Sequence, residues 1–162
     1  MTELTAPLLQ KIDELQQRYV RALDDIDMAA WLATFAEDAA ASYVCISAEN
    51  ESRGLQLALM FDDCHARLQD RVTFVTKVWA GTFQPYRTRH LTQRVWCECR
   101  DQVVLMRSNF SIVATPDGGA SAMLAAGTYV DRLVDDNGTM RILERRAIYD
   151  TTVLPRYIVY PF

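Results

Sequence analysis

Two histidines, His65 and His90, are the only side chains of this chain whose ordinary titration falls near neutral pH. His90 follows Arg89 at the start of a long β-rich run, and His65 sits between Cys64 and Ala66 on a predicted helix. A histidine brought close to Asp24 or Asp25, with Tyr19 or Tyr43, would form a general acid–base set suited to dehydration or isomerisation. The plainer reading is favoured: a histidine bonded into a polar network at a strand end, or held at an interface. The cluster Asp24-Asp25-Ile26-Asp27 could be a carboxylate site, but the end of one helix followed by the cap of the next accounts for it better. Asp70-Arg71 and Arg87-x-Arg89 could bind an anion; a salt-bridge set joining helix to sheet is favoured. Cys97 and Cys99 lie two apart on one predicted strand, hence on one face. A zinc site needs a second ligand pair at similar spacing, and none is present. Four reduced, mostly buried thiols are therefore expected. No glycine-rich phosphate loop, Gly-x-Ser-x-Gly elbow or His-Glu-x-x-His helix occurs.

The elements that must position these residues are centred on Gln84 to Val134. Three runs of about a dozen residues, rich in β-branched and aromatic side chains, are separated by Asp101-Gln102 and Pro116-Asp117-Gly118-Gly119. That pattern predicts an antiparallel meander. Asp135-Asp136-Asn137-Gly138 predicts a type I′ turn, and Met140 to Tyr149 the returning strand. Upstream, Thr5-Ala6-Pro7 reads as a helix start. Leu8, Leu9, Ile12, Leu15, Tyr19, Val20 and Leu23 recur at helical spacing behind it. Asp27 is expected to cap a second helix carrying Met28, Trp31, Leu32 and Phe35. A strand is expected over 39–47, a polar loop over 48–54, and a third helix from Met60 to about Lys77. The architecture predicted is α+β: N-terminal helices packed on a strongly curved antiparallel sheet, in a single domain over residues 1–162. That element order is the one found in the cystatin-like cone of ketosteroid isomerase, scytalone dehydratase and nuclear transport factor 2. The tail from Val153 to Phe162 is apolar and aromatic to its last residue, so it must be tucked against the domain or covered by another chain.

Half of the 162 residues are hydrophobic and the net charge is −4. Nucleic acid is not expected as a partner, because phosphate binding needs a basic face and no Lys/Arg cluster appears. No apolar run approaches a membrane span, and the N-terminus lacks the pattern of a signal peptide, so a cytoplasmic protein is expected. Only Lys11 and Lys77 among the 17 basic residues are lysines. Arginine is favoured at interface cores, which hints at an oligomer.

The chain as a whole resembles the small (β) subunits of Rieske-type aromatic-ring-hydroxylating dioxygenases. The resemblance is carried by Tyr19 to Phe35 with Glu37-Asp38, by Gly54 to Met60, and by Leu68-Gln-Asp-Arg-Val72. Further matches are Arg87-Thr-Arg-His-Leu91, Ala126-Gly-Thr-Tyr-Val-Asp131, Tyr149 to Pro155, and Pro161. The segment 54–60 and the ending look most like subunits acting on anthranilate, benzoate or terephthalate. The resemblance implies a large α subunit as partner, three of each in the assembly, and indirect dealings with a reductase or ferredoxin drawing on NAD(P)H. It places a Rieske 2Fe-2S cluster and a mononuclear Fe(II) in the α chain. This chain has no Cys-x-His and Cys-x-x-His pair for such a cluster. It is expected to support the assembly without a catalytic, cofactor or metal site of its own. Arg71, Arg87, Arg89, His90, Tyr157, Tyr160 and Phe162 are the residues expected to pack or form interfaces. The alternative is a stand-alone cone-fold dehydratase or isomerase using His90 and an aspartate.

Overall fold

A computed structural model describes residues 4–162. Helix α1 spans Ala6–Asp24, with Thr5 as its N-cap accepting from the Leu8 N–H, and Pro7 in the first turn. Its buried stripe is Ile12, Leu15, Gln16, Tyr19, Ala22 and Leu23, the i, i+3, i+4, i+7 rhythm of one helical face. Asp27 caps the short α2 (Met28–Leu32) by accepting the Ala30 N–H. Phe35 lies beyond that helix, bridged to Ile142.

Strand β1 (Ser42–Ser47) follows, shorter than expected at its start. The segment expected to be a polar loop forms a helical turn, α3 (Ala48–Ser52), because the Ser47 hydroxyl accepts the Asn50 N–H and caps it. The helix expected from Met60 is also corrected. Met60–Asp62 is a strand, β2, and α4 runs only from His65 to Thr73. Alternation at the sheet edge overrides the four-residue spacing there: Met60 and Asp62 face inward, Phe61 outward. The β-branched run Phe74–Val78 is a single π-helical turn.

The meander is β3 (Tyr86–Arg100), β4 (Val103–Pro116) and β5 (Ala122–Asp136), and β6 (Thr139–Tyr149) returns. The six strands are ordered β2-β1-β6-β5-β4-β3. All pairings are antiparallel except β1 with β6, which is parallel. The sheet is thus mostly antiparallel, because β1 precedes the meander and joins its far edge by a crossover. Asn137 and Gly138 both adopt positive φ, as the predicted type I′ turn requires. Register shifts at Arg94/Trp96, Ile112/Val113 and Arg132/Leu133 bend the long strands around α1. Gly127 is needed where β5 and β6 close up. A Cβ there would collide with the Ile148 main-chain oxygen and lie 2.8 Å from Tyr149 Cα.

The helices line the concave face, giving the cone expected from the sequence. The core fills it with Tyr19, Leu23, Trp31, Phe35, Tyr43, Phe110, Ile112, Tyr129 and Leu133.

Candidate functional site

The last turn of α1 and the start of β3 bring Asp24 and His90 together. Asp24 Oδ1 lies 2.6 Å from His90 Nδ1, and Oδ2 accepts the His90 N–H at 3.2 Å. The Thr88 hydroxyl donates to Oδ1 at 3.2 Å. The His90 side chain is wholly buried, and its Nε2 has no partner among the described residues. Strain sits beside this pair. The Asp27 N–H bonds to Ala22 O and the Ile26 N–H to Leu23 O, so α1 ends in a Schellman motif. Ile26, at φ 57°, occupies the left-handed position that glycine usually fills.

Tyr19 and Tyr43 do not complete an acid–base set with His90. Both point at the tail. The Tyr19 hydroxyl donates to the Phe162 main-chain oxygen at 2.5 Å, and Tyr43 Oη accepts the Phe162 N–H at 2.8 Å. The Phe162 ring packs against Phe110 and Tyr149, with centroids 6.2 and 5.9 Å away. Burial raises the Tyr19 hydroxyl, and raises those of Tyr43 and Tyr129 well above the ordinary tyrosine value. It also pushes the Cys45 thiol up to about 12. These groups are neutral at physiological pH and poorly suited to giving up protons.

A second polar set lies deeper, and sequence reasoning missed it. Arg145 Nε and Nη2 each donate to Asp131 at 2.8 Å, a bidentate pair with both side chains fully buried. Nη2 also donates to Gln16 Oε1 at 3.0 Å, and Gln16 Nε2 to the Ser108 hydroxyl at 3.1 Å. The guanidinium is held between the rings of Tyr19 and Tyr129, 4.0 and 4.3 Å from their centroids. Burial alone would lower the Arg145 pKa, but the Asp131 carboxylate and its hydrogen bonds raise it above the ordinary arginine value. The signal was available in the alternation: Asp131 stands two residues from Tyr129 and Leu133, at a core-facing position of its strand.

The other expected residues fall into two groups. Arg71 on α4 makes a bidentate bond to Asp62 on β2, at 3.0 and 2.9 Å, joining helix to sheet. Tyr160 is buried against Tyr86 and Phe83, and Phe162 is in the core. Arg87, Arg89 and Tyr157 are exposed; Tyr157 Oη accepts the Gln84 N–H at 3.0 Å. The tail is therefore tucked against its own domain, further tied by the Tyr86 hydroxyl, which accepts the Val159 N–H.

His65 stands apart, at the start of α4, in an open groove of about 540 Å³ with Glu37, Gln69 and Arg141 over Phe35 and Leu32. The cysteines are all free: Cys45 and Cys99 are buried, Cys64 and Cys97 partly so. Among the described residues no set of three or more His, Cys, Asp or Glu is arranged to hold a metal ion. No described helix is long and apolar enough to cross a membrane.

The family model for the ring-hydroxylating β subunit matches residues 18–156. The anthranilate 1,2-dioxygenase small subunit of Burkholderia cepacia is 30% identical over 148 residues, covering 91% of this chain and 89% of that one. Subunit β 2 of the terminal oxygenase component of terephthalate 1,2-dioxygenase, from Comamonas sp., is 24% identical over 144 residues, covering 88% and 91%. Among solved structures, a provisionally assigned aromatic-ring-hydroxylating dioxygenase β subunit from Novosphingobium aromaticivorans superposes with a TM-score of 0.78. It is 30% identical, over 89% of this chain and 90% of that one.

Proposed function

The chain belongs to the ring-hydroxylating β-subunit family, and from that premise we propose that it is the non-catalytic small subunit of an aromatic-acid dioxygenase. In this reading a large α subunit carries the Rieske cluster and the mononuclear iron, and three α and three β chains make the oxygenase. A reductase, directly or through a ferredoxin, feeds it electrons from NAD(P)H. The whole enzyme adds both atoms of O₂ to the ring of an aromatic acid. Anthranilate and terephthalate, named for the relatives, bound the substrate class.

The observation that carries the support role is the filled cone. The space where a cone-fold enzyme would hold a substrate is packed by Phe162 and clamped by Tyr19 and Tyr43. Several of the polar groups left inside are committed to one another, Arg145 to Asp131 above all, while Trp31 Nε1, His90 Nε2 and the Tyr129 hydroxyl have no partner among the described residues. Arg71, His90, Tyr160 and Phe162 then act as internal ties that hold the subunit's shape. Arg87, Arg89 and Tyr157 are offered to partners.

The acid–base alternative keeps one observation in its favour, the 2.6 Å contact between Asp24 and His90. Against it stands the complete burial of the imidazole, which leaves Nε2 no route to a substrate.

The test is purification of the complex from its native source through a tag on this chain, with mass determination and a visible spectrum. A brown assembly of about three large and three small chains, whose dioxygenase turnover survives His90→Ala within about twofold, is expected. A colourless monomer or dimer with dehydratase activity lost in His90→Ala would overturn the reading.

A further inference from the structure

Beside the tail, at the end of the β4–β5 pair, lies a groove of about 320 Å³. Ala114 pairs with Ala122 there, and these small side chains leave room next to Leu124. Met123, 57% exposed, and tail residues 155–157 complete the lining. The surface is mostly apolar. Its neutral polar groups are largely satisfied, since the Tyr157 hydroxyl accepts the Gln84 N–H at 3.0 Å. Arg156 is the single charge among the described lining residues. Its guanidinium lies over the Tyr86 ring, 3.9 Å from the centroid, and 4.9 Å from that of Tyr157. Nη2 reaches the Gln84 main-chain oxygen only at 3.5 Å, and the enclosed Nε has no partner among the described residues. No carboxylate of those residues stands at ion-pair distance from it. A half-buried guanidinium is thus held in place by aromatic faces and left without a counter-charge, although burial of a charge is costly unless it is paired.

Four other grooves of the described residues also hold arginine, and each has acid to meet it. Arg146 bonds Glu51, Arg94 lies 2.8 Å from Asp13, and Arg141 lies 3.0 Å from Asp136. Arg18 and Arg21 share their groove with Asp25 and Asp27. The groove at Arg156 differs in lacking that acid. We propose that it binds a small monocarboxylate with a compact apolar body. One unmatched cation calls for one negative charge, and a phosphate dianion would bring a second with nothing to receive it. The planar fork of arginine matches a carboxylate in two parallel hydrogen bonds, and its faces are already engaged by tyrosine. An apolar cavity of roughly 150 Å³ takes up benzene, so this groove has room for one ring and its carboxylate. An apolar wall with a single charged group to fix orientation is the usual make-up of a small-molecule site. The site is separate from the tyrosine clamp on Phe162 and does not depend on the support role.

The experiment titrates the full-length, ¹⁵N-labelled chain with cyclohexanecarboxylate near neutral pH, following amide and arginine Nε–H signals by NMR. Saturable shifts are expected at Gln84, Met123 and Arg156. Acetate, which lacks the ring, and cyclohexanecarboxamide, which lacks the charge, are each expected to bind about tenfold or more weakly. Arg156→Met keeps an apolar stem over Tyr86 and removes the fork; it is expected to lose about tenfold or more in affinity, and Arg156→Lys to recover part of it. Ala122→Trp, at an exposed position, is expected to fill the groove and block binding with Arg156 intact. Arg107→Met, toward the other end of β4, is expected to bind like the wild type. Circular dichroism checks that each variant keeps the fold. Absence of saturable shifts up to ~10 mM acid, equal binding of the amide, or full-strength binding by both Arg156→Met and Ala122→Trp overturns the site. The complex purified from its native source is then given the same acid, with binding read from the ligand's own NMR signals. Binding that persists there supports the proposal. Binding present in the free chain and lost in the complex overturns it and gives the groove to a carboxylate side chain of a neighbouring subunit.

Discussion

Asp131→Ala should be among the most damaging substitutions in this chain. Asp131 and Arg145 are fully buried and joined by two 2.8 Å hydrogen bonds. Removing the carboxylate leaves a guanidinium charge in the core with only Gln16 and two aromatic faces around it. Breaking a buried pair from one side costs about 3–5 kcal/mol, a large part of the ~5–15 kcal/mol that holds a domain. At about 2–4 °C per kcal/mol for a chain of this size, the melting temperature should fall by roughly 6–20 °C. Arg145→Met alone should cost a similar amount, because it strands the Asp131 carboxylate instead. The double variant, Asp131→Leu with Arg145→Met, removes both charges. Methionine can lie between the Tyr19 and Tyr129 rings, where sulfur–aromatic contacts are favourable. What remains unmet is Gln16 Oε1, a loss of about 1–3 kcal/mol. The double variant should therefore be more stable than either single one. Urea denaturation followed by far-ultraviolet circular dichroism measures all three. Costs that simply add would refute the reasoning, since they would mean that the two groups do not depend on each other.

Ile26→Gly should stabilise the chain by about 1 kcal/mol, because it relieves a β-branched residue at φ 57° in a Schellman cap; the urea midpoint reads it, and a loss of stability would contradict the strain. Gly127→Ala should cost several kcal/mol or prevent folding, since the added Cβ meets the β6 backbone rather than a movable side chain; soluble yield and thermal unfolding test it. Raised pKa values for the buried Tyr19, Tyr43 and Tyr129 mean that the folded state holds those protons more tightly than the unfolded chain does. Their contribution is complete below about pH 10 and is lost above it, at up to about 1.4 kcal/mol per pH unit for each tyrosine. Urea midpoints from pH 8 to 11 should be level at first and then fall, less steeply in Tyr129→Phe; a flat profile to pH 11 would contradict it.

The meander was legible because its strands are long and their turns carry strong signals: Asn137-Gly138 predicts its own backbone geometry. The caps of α1 and α2 were legible for the same reason, being local hydrogen bonds between a side chain and an N–H three residues on. Residues 48–62 misled because short elements there are decided by neighbours. Met60 is a strand residue since β1 offers it an edge at Cys45, a partner fifteen residues away. The parallel β1–β6 pair is beyond local reading altogether, since Ser42 and Glu144 meet only after the whole sheet has formed. The candidate site divides in the same way. A histidine beside Asp24 or Asp25 was the second reading, behind a polar network at a strand end, and the structure joins Asp24 to His90 at the start of β3. Tyr19 and Tyr43, offered as companions in that second reading, are occupied by the tail, which comes from the far end of the sequence.

That tail explains why the fold and its chemistry part company here. A cone built to hold a substrate needs an open mouth and ionisable groups with room to exchange protons. In this chain the mouth is closed by Val159–Phe162, and several of the enclosed groups bind each other: Tyr19 and Tyr43 the Phe162 backbone, Gln16 Ser108, Arg145 Asp131. Each tie joins residues more than ten apart in sequence, and three of the four involve a helix or the tail. Such ties add to rigidity as well as stability, since polar groups in a core hold it to one arrangement only when their partners are in place.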